Sequence, residues 1–182
     1  MGDDLAAGYL GDVRLRYRRL KTLADGAAEQ IDDQAFHAAL DPEGNSVALL
    51  MKHLAGNMRC RWRDLFTSDG EKPDRDRDRE FEREPADTRA AVLQGWDAGW
   101  RYLFDALESV GPEDLARTVH IRGRPCSAME AINRQLAHYA YHVGQIVFLA
   151  KHFRGDDWQT LSVPRGGSRQ FNESFRSAAG AT

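Results

Sequence analysis

The chain is poor in cysteine, in long apolar runs and in any excess of one charge. Two cysteines, Cys60 and Cys126, stand far apart among 182 residues and outside any Cys-x-x-Cys spacing. That argues against a disulfide framework and leaves both as reduced, packed thiols. No apolar run is long enough to span a bilayer, and Met1-Gly2-Asp3-Asp4 places acids where a signal peptide carries basic residues. A cytoplasmic protein without a membrane partner is expected. Lys and Arg number 25 against 28 Asp and Glu, a formal net charge of −3, so the basic footprint needed to neutralise a nucleic-acid backbone is missing and no nucleic-acid partner is expected. What is present is a globular balance of 42% apolar and 29% charged residues, which rules against overall disorder and suits one domain over residues 1–182.

Apolar residues recur every three or four positions in four stretches, the period of an amphipathic helix. Tyr9, Val13, Tyr17, Leu20, Leu23 and Ala27 predict a first helix over about 4–31. Val47, Leu50, Leu54, Met58 and Leu65 predict a second, capped by Asn45 or Ser46 and stopping near Gly70. Glu71 to Pro85 follows, with Asp74-Arg75-Asp76-Arg77-Asp78-Arg79 alternating in charge and almost nothing apolar, and predicts a solvated loop. Val92, Trp96, Trp100, Leu103, Leu107 and Val110 mark a third helix ending at Gly111-Pro112, its tryptophans core residues. Arg117 to Pro125 alternates polar and apolar residues about a turn, as a short hairpin does. Ser127-Ala128-Met129-Glu130 is a capping box and opens a fourth helix through Met129, Ile132, Leu136, Tyr139, Val143, Ile146, Ala150 and Phe153. From about residue 155 an irregular tail is expected, in which Trp158, Phe171 and Phe175 can pack. The fold class is all-α, a four-helix bundle with a short hairpin before the last helix.

His138 and His142 lie one helical turn apart, so both imidazoles leave one face and can converge on one ion. Residue 139 is Tyr, not Glu, so the His-Glu-x-x-His arrangement of zinc proteases and its general base are absent. Bundle metal sites draw ligands from facing helices, and His53 beside Leu50 and Leu54 is the best third candidate. His53, Asn57 and Arg61 form a polar row, as do Arg134, His138 and His142, with Gln135 and Gln145 beside it; the plain alternative is that both rows are solvated helix faces. His37, His120 and His152 read as surface residues. Cys60, seven residues after His53, is a weaker sulfur candidate.

Asn45-Ser46, Lys52-His53-Leu54-Ala55-Gly56-Asn57-Met58, Asp69-Gly70-Glu71-Lys72-Pro73, Ala131-Ile132-Asn133-Arg134-Gln135 and His138-Tyr139-Ala140-Tyr141-His142-Val143-Gly144-Gln145-Ile146 together resemble the DinB-like superfamily, in its DUF1572 branch. The resemblance runs from the first helix to Pro164-Arg165-Gly166-Gly167-Ser168. It implies a four-helix bundle, often dimeric, with a metal triad of one histidine on the second helix and two on the fourth: His53, His138 and His142. Better-characterised members of the superfamily are metal-dependent thiol transferases or thiol-dependent isomerases, and the branch itself carries no assigned reaction.

Three functions compete on this reading. The first is an enzyme in which a divalent ion, zinc by default and nickel next, activates a low-molecular-weight thiol toward a small electrophile, or a water in a metal-assisted hydrolase. Arg61 or Arg134 would then hold an anionic group of the thiol, and Asn57 and Gln145 would orient ligands or substrate. The second is a non-enzymatic metal-binding stress or scaffold protein. The third is a bundle without a physiological ion, joined as a homodimer through exposed apolar residues.

Overall fold

The computed structural model describes residues 2–179, and the side chains of 4–174. Four long helices, α1 (Gly2–Ala28), α3 (Val47–Trp62), α4 (Arg89–Ser109) and α5 (Ala128–Arg154), form the bundle. A short α2 (Asp33–His37) sits in the first connection, the strands β1 (Thr118–Ile121) and β2 (Arg124–Ser127) precede α5, and α6 (Ser168–Ala179) closes the described chain. None of these helices is long and apolar enough to cross a membrane.

Capping chemistry sets the helix starts. Ser46, not Asn45, accepts from Leu49 N (3.2 Å) and starts α3; Thr88 does the same for Ala91 N (3.2 Å) at α4. At α5, Ser127 Oγ accepts from Glu130 N (3.1 Å) while Glu130 Oε2 accepts from Ser127 N (2.7 Å), the reciprocal box its sequence predicts. The α3 end departs from expectation. The helix stops at Trp62, eight residues before Gly70, because Arg63 turns extended and Asp64 takes a left-handed φ of 55°; Leu65 therefore packs from a turn.

The apolar stripes meet as predicted except at Met129, the first residue of the last stripe, which sits in the opening turn of α5 and is exposed. Tyr17, Trp96, Trp100, Leu103 and Tyr139 are almost fully buried in one cluster with Leu50, Leu54 and Met58. α3 and α4 come so close at Gly99 that a Cβ there would lie 3.0 Å from Ala55 Cα, so only glycine fits without a shift. The hairpin pairs Thr118 with Ser127 and Ile121 with Arg124. Its turn residues Arg122 and Gly123 both have positive φ, 56° and 70°, the mirror-image turn that suits the strand twist.

Two further expectations need correction. The tail is irregular only to Gly167, apart from a 3-10 turn at Gly155–Asp157, and then becomes helical as α6. Its first part is tied down: Gln30 Nε2 donates to Gln159 O (3.0 Å) and Gln159 N returns a bond to Gln30 Oε1 (2.7 Å). Trp158 and Leu161 pack on the core and Phe171 is exposed, while the Phe175 side chain lies outside the described residues. The second correction concerns 71–85. Its charges are not uniformly solvated; the Arg75 and Glu80 side chains retain 4% and 8% exposure, and Lys72 is buried. Buried charges are tolerated when paired and fully hydrogen-bonded, and charge alternation alone does not show which acid will meet which base.

Candidate metal centre

α3 and α5 bring the three predicted histidines together. His138 Nε2 lies 3.3 Å from His53 Nε2 and 3.1 Å from His142 Nε2, so the three ring nitrogens point at one small volume. One nitrogen from each of these residues falls within 4.8 Å of the others, a set that could hold a metal ion. Nitrogens held this close cannot all carry protons, which favours lone pairs at the centre.

The far side of two rings is fixed. His53 Nδ1 is 2.8 Å from Glu80 Oε2, and His142 Nδ1 is 2.9 Å from Gln145 Oε1. Both partners accept, so the Nδ1 proton is directed outward and Nε2 is left free to ligate, the orientation that ligand histidines usually receive. Burial raises the Glu80 carboxyl, but the Arg75 fork and His53 outweigh it and hold the group below its usual range. Arg75 Nε and Nη2 each donate to one Glu80 oxygen at 2.8 Å. Desolvation, reinforced by His142 and His53, pushes His138 down to about 3, and burial also lowers His142. Neutral imidazole is the form that ligates a metal.

Glu80, Arg75 and Phe81 escaped the sequence reading. All come from the charged loop, where one acid among several gives no signal of which will reach His53. Phe81 lies against the His53 ring (4.5 Å between centroids, 31° between planes) and under the Arg77 guanidinium at 5.0 Å. Glu80 reaches its place because residue 56 is glycine; a Cβ there would collide with its carboxylate.

A cavity of about 420 Å³ opens onto the histidines, lined also by Asn57, Arg61, Arg75, Arg77, Phe81, Arg122, Arg134, Gln135 and Tyr141. Asn57 is oriented by a relay. Trp62 Nε1, a donor only, bonds the Tyr139 hydroxyl (3.0 Å), which must then donate to Asn57 Oδ1 (3.0 Å). The Asn57 amide nitrogen is left for the cavity. Of the two arginines expected as alternatives to hold an anion, Arg61 donates to Gly70 O and to Glu71 Oε2 (2.9 Å). Arg134 is exposed and has no hydrogen-bond or ion-pair partner among the described residues. Two buried polar atoms of the lining are orphaned, Arg61 Nε and Gln135 Oε1; a bond left unmade in such a place costs roughly 1–3 kcal/mol.

Cys60 is not part of the centre. Its thiol faces Gly70 O (3.0 Å) and Lys72 N (3.2 Å), and both cysteines are unpaired with each other. His120 and His152 are exposed and His37 is half-buried, away from the triad.

No curated protein and no solved structure matches the chain. A family model does, described as "Protein of unknown function (DUF1572)", over residues 4–167, a span that holds the bundle, the hairpin, the charged loop and all three histidines; the chain belongs to the DUF1572 family.

Proposed function

We propose that this protein is a metal-dependent enzyme with a three-histidine open site acting on small molecules, and that its chemistry is thiol transfer to an electrophile. The observation that carries the reading is the convergence of the His53, His138 and His142 Nε2 atoms at the floor of a cavity. A structural zinc site is closed by four protein ligands, whereas three ligands facing open space are the catalytic arrangement. Among the described residues the ligand group comprises these three alone. That supports an enzyme over a metal-storing scaffold.

When bound, a divalent ion, zinc first and nickel next, would supply Lewis acidity and lower the pKa of a thiol or water beside it. The chain does the rest. Glu80 and Gln145 hold two rings in the ligating tautomer, burial keeps His138 and His142 neutral, and Asn57 offers an amide N–H to whatever enters. Thiol transfer, rather than hydrolysis, rests on the resemblance to DinB-like proteins, which also implies a homodimer.

The reading is tested by metal analysis of protein purified without a histidine tag, followed by a screen of low-molecular-weight thiols against a chloronitrobenzene electrophile. About one ion per chain is expected, with conjugation lost in His53→Ala. Substoichiometric metal that addition does not restore, or unchanged affinity in His142→Ala, would remove the metal centre. A fully loaded protein inert toward every thiol but active on esters would move the assignment to hydrolysis.

A further inference from the structure

The cavity above the histidines is positively charged by construction. Arg61, Arg75 and Arg122 share two carboxylates, Glu71 and Glu80, at 2.8–3.5 Å. Arg77 lies over the Phe81 ring and has the exposed Asp78, at 4.0 Å, as its one ion-pair partner among the described residues, and Arg134 has none. No carboxylate lines the cavity itself among the described residues. Two guanidinium forks therefore remain for a planar anion, which they match bidentately.

A second feature is independent of charge. Gln135 is 4% exposed, lines the same cavity and leaves its side-chain carbonyl with no hydrogen-bond partner. An anion cannot satisfy an acceptor. A ligand that answers both features carries an oxyanion and a hydrogen-bond donor near it.

We propose that the cavity takes a small organic oxyanion bearing an adjacent donor, with Arg134 and Arg77 holding the anion and Gln135 receiving the donor. This deepens the reading of the cavity as the substrate site and rests on it, but the anion subsite is built from side chains that do not ligate the ion. It can be read in metal-free protein. Discrimination comes from both ends: a neutral ligand leaves the arginines unmatched, and an anion without a donor leaves Gln135 orphaned.

Calorimetric and NMR titrations of the full chain, metal-free and zinc-loaded, with lactate, propionate and lactamide separate the two contributions. Lactate should bind in the millimolar range, propionate several-fold more weakly, and lactamide without saturation. Arg134→Gln with Arg77→Gln should weaken lactate at least tenfold, and Gln135→Leu should abolish the preference for lactate over propionate. Glycerol 3-phosphate with the same variant sensitivity but tighter binding would support the oxyanion site and identify its anion as a phosphate. Equal binding of lactate and lactamide, an arginine double variant that folds and binds lactate as before, or no saturable binding by either oxyanion would overturn the proposal. If zinc fails to bind while lactate still depends on Arg134, the metal centre falls and this site stands; stoichiometric zinc with no variant-sensitive anion has the opposite meaning.

Discussion

The centre of the bundle and the histidine pocket bury side chains to a similar extent by opposite means. Tyr17, Trp96, Trp100 and Tyr139 are nearly inaccessible and meet edge to face or tilted at 5.4–6.3 Å. There the driving force is area removed from water, which is non-directional and tolerates a neighbour of similar shape. In the pocket, His53, Glu80 and Arg75 are as enclosed, but they are held by a few directional bonds to one another at 2.8 Å. Taking away a partner leaves a buried charge or donor unanswered. The core should thus fail gradually in stability, and the pocket abruptly in function.

The largest expected effect sharpens the first half of that contrast. Trp100→Ala removes an indole that touches Tyr17, Trp96, Phe104 and Tyr139, and should cost about 3–5 kcal/mol in denaturant unfolding. Trp100→Phe should recover much of it, all the more because the indole N–H makes no hydrogen bond to lose. A loss under about 1 kcal/mol in Trp100→Ala would mean that the core collapses around the gap far better than its packing suggests.

Glu80→Gln probes the pocket. It changes almost no volume, yet it removes the charge that holds Arg75 and fixes the His53 tautomer. Metal affinity should fall ~10–100-fold, the usual effect of losing a ligand's outer partner, with a thermal midpoint shifted by less than in Trp100→Ala. Equal affinity in the variant would show that His53 is oriented by packing against Phe81 alone. Gly56→Ala should act through the same carboxylate with a smaller result. Alanine is favoured over glycine in a helix by up to about 1 kcal/mol, but its Cβ collides with Glu80, so metal affinity should drop several-fold while stability changes little. A variant with improved stability and intact affinity would place Glu80 elsewhere in solution.

Much of this contrast is legible in the sequence. The stripe through Trp96, Trp100, Leu103 and Leu107 specified the buried face of α4 because one periodicity decides which residues face inward. The Ser127–Glu130 box set the start of α5 to the residue. His138 and His142 announced themselves by spacing, and the resemblance supplied His53. Glu80 and Arg75 did not show, since a through-space ion pair leaves no period in sequence and their neighbours Asp74, Asp76 and Asp78 look equivalent. The early end of α3 was hidden for a related reason: Leu65 continues the spacing of the stripe, but Asp64 takes a left-handed conformation that periodicity does not encode. The sequence leaves open whether Arg61 or Arg134 holds an anion, and the capture of Arg61 by Glu71 again depends on where the loop returns.

The smallest effect is expected from acid, and it tests whether the loop closes the pocket as one unit. Glu71 is raised by burial but lowered further by bonds from Arg61 and Arg122, and the net shift is downward. Asp69 is likewise lowered, since backbone N–H groups of Glu71, Gly123 and Arg122 outweigh its desolvation. A carboxylate whose folded pKa lies below its unfolded value binds fewer protons in the folded state, so its contribution is complete above the ordinary carboxylate range and is lost as pH falls through the depressed folded value. The loop should therefore stay protected from neutral pH down through the ordinary carboxylate range, and further acidification should release it. Hydrogen exchange at the Arg122 and Gly123 amides reads this directly, because both donate to Asp69 and should lose protection only once pH falls below the ordinary carboxylate range, before the amides of α4 do. Asp69→Asn should bring comparable exchange to neutral pH. Simultaneous loss of protection in the hairpin and α4 would instead mean that loop and core unfold together, and the division between a graded core and a pairwise pocket would have to be given up.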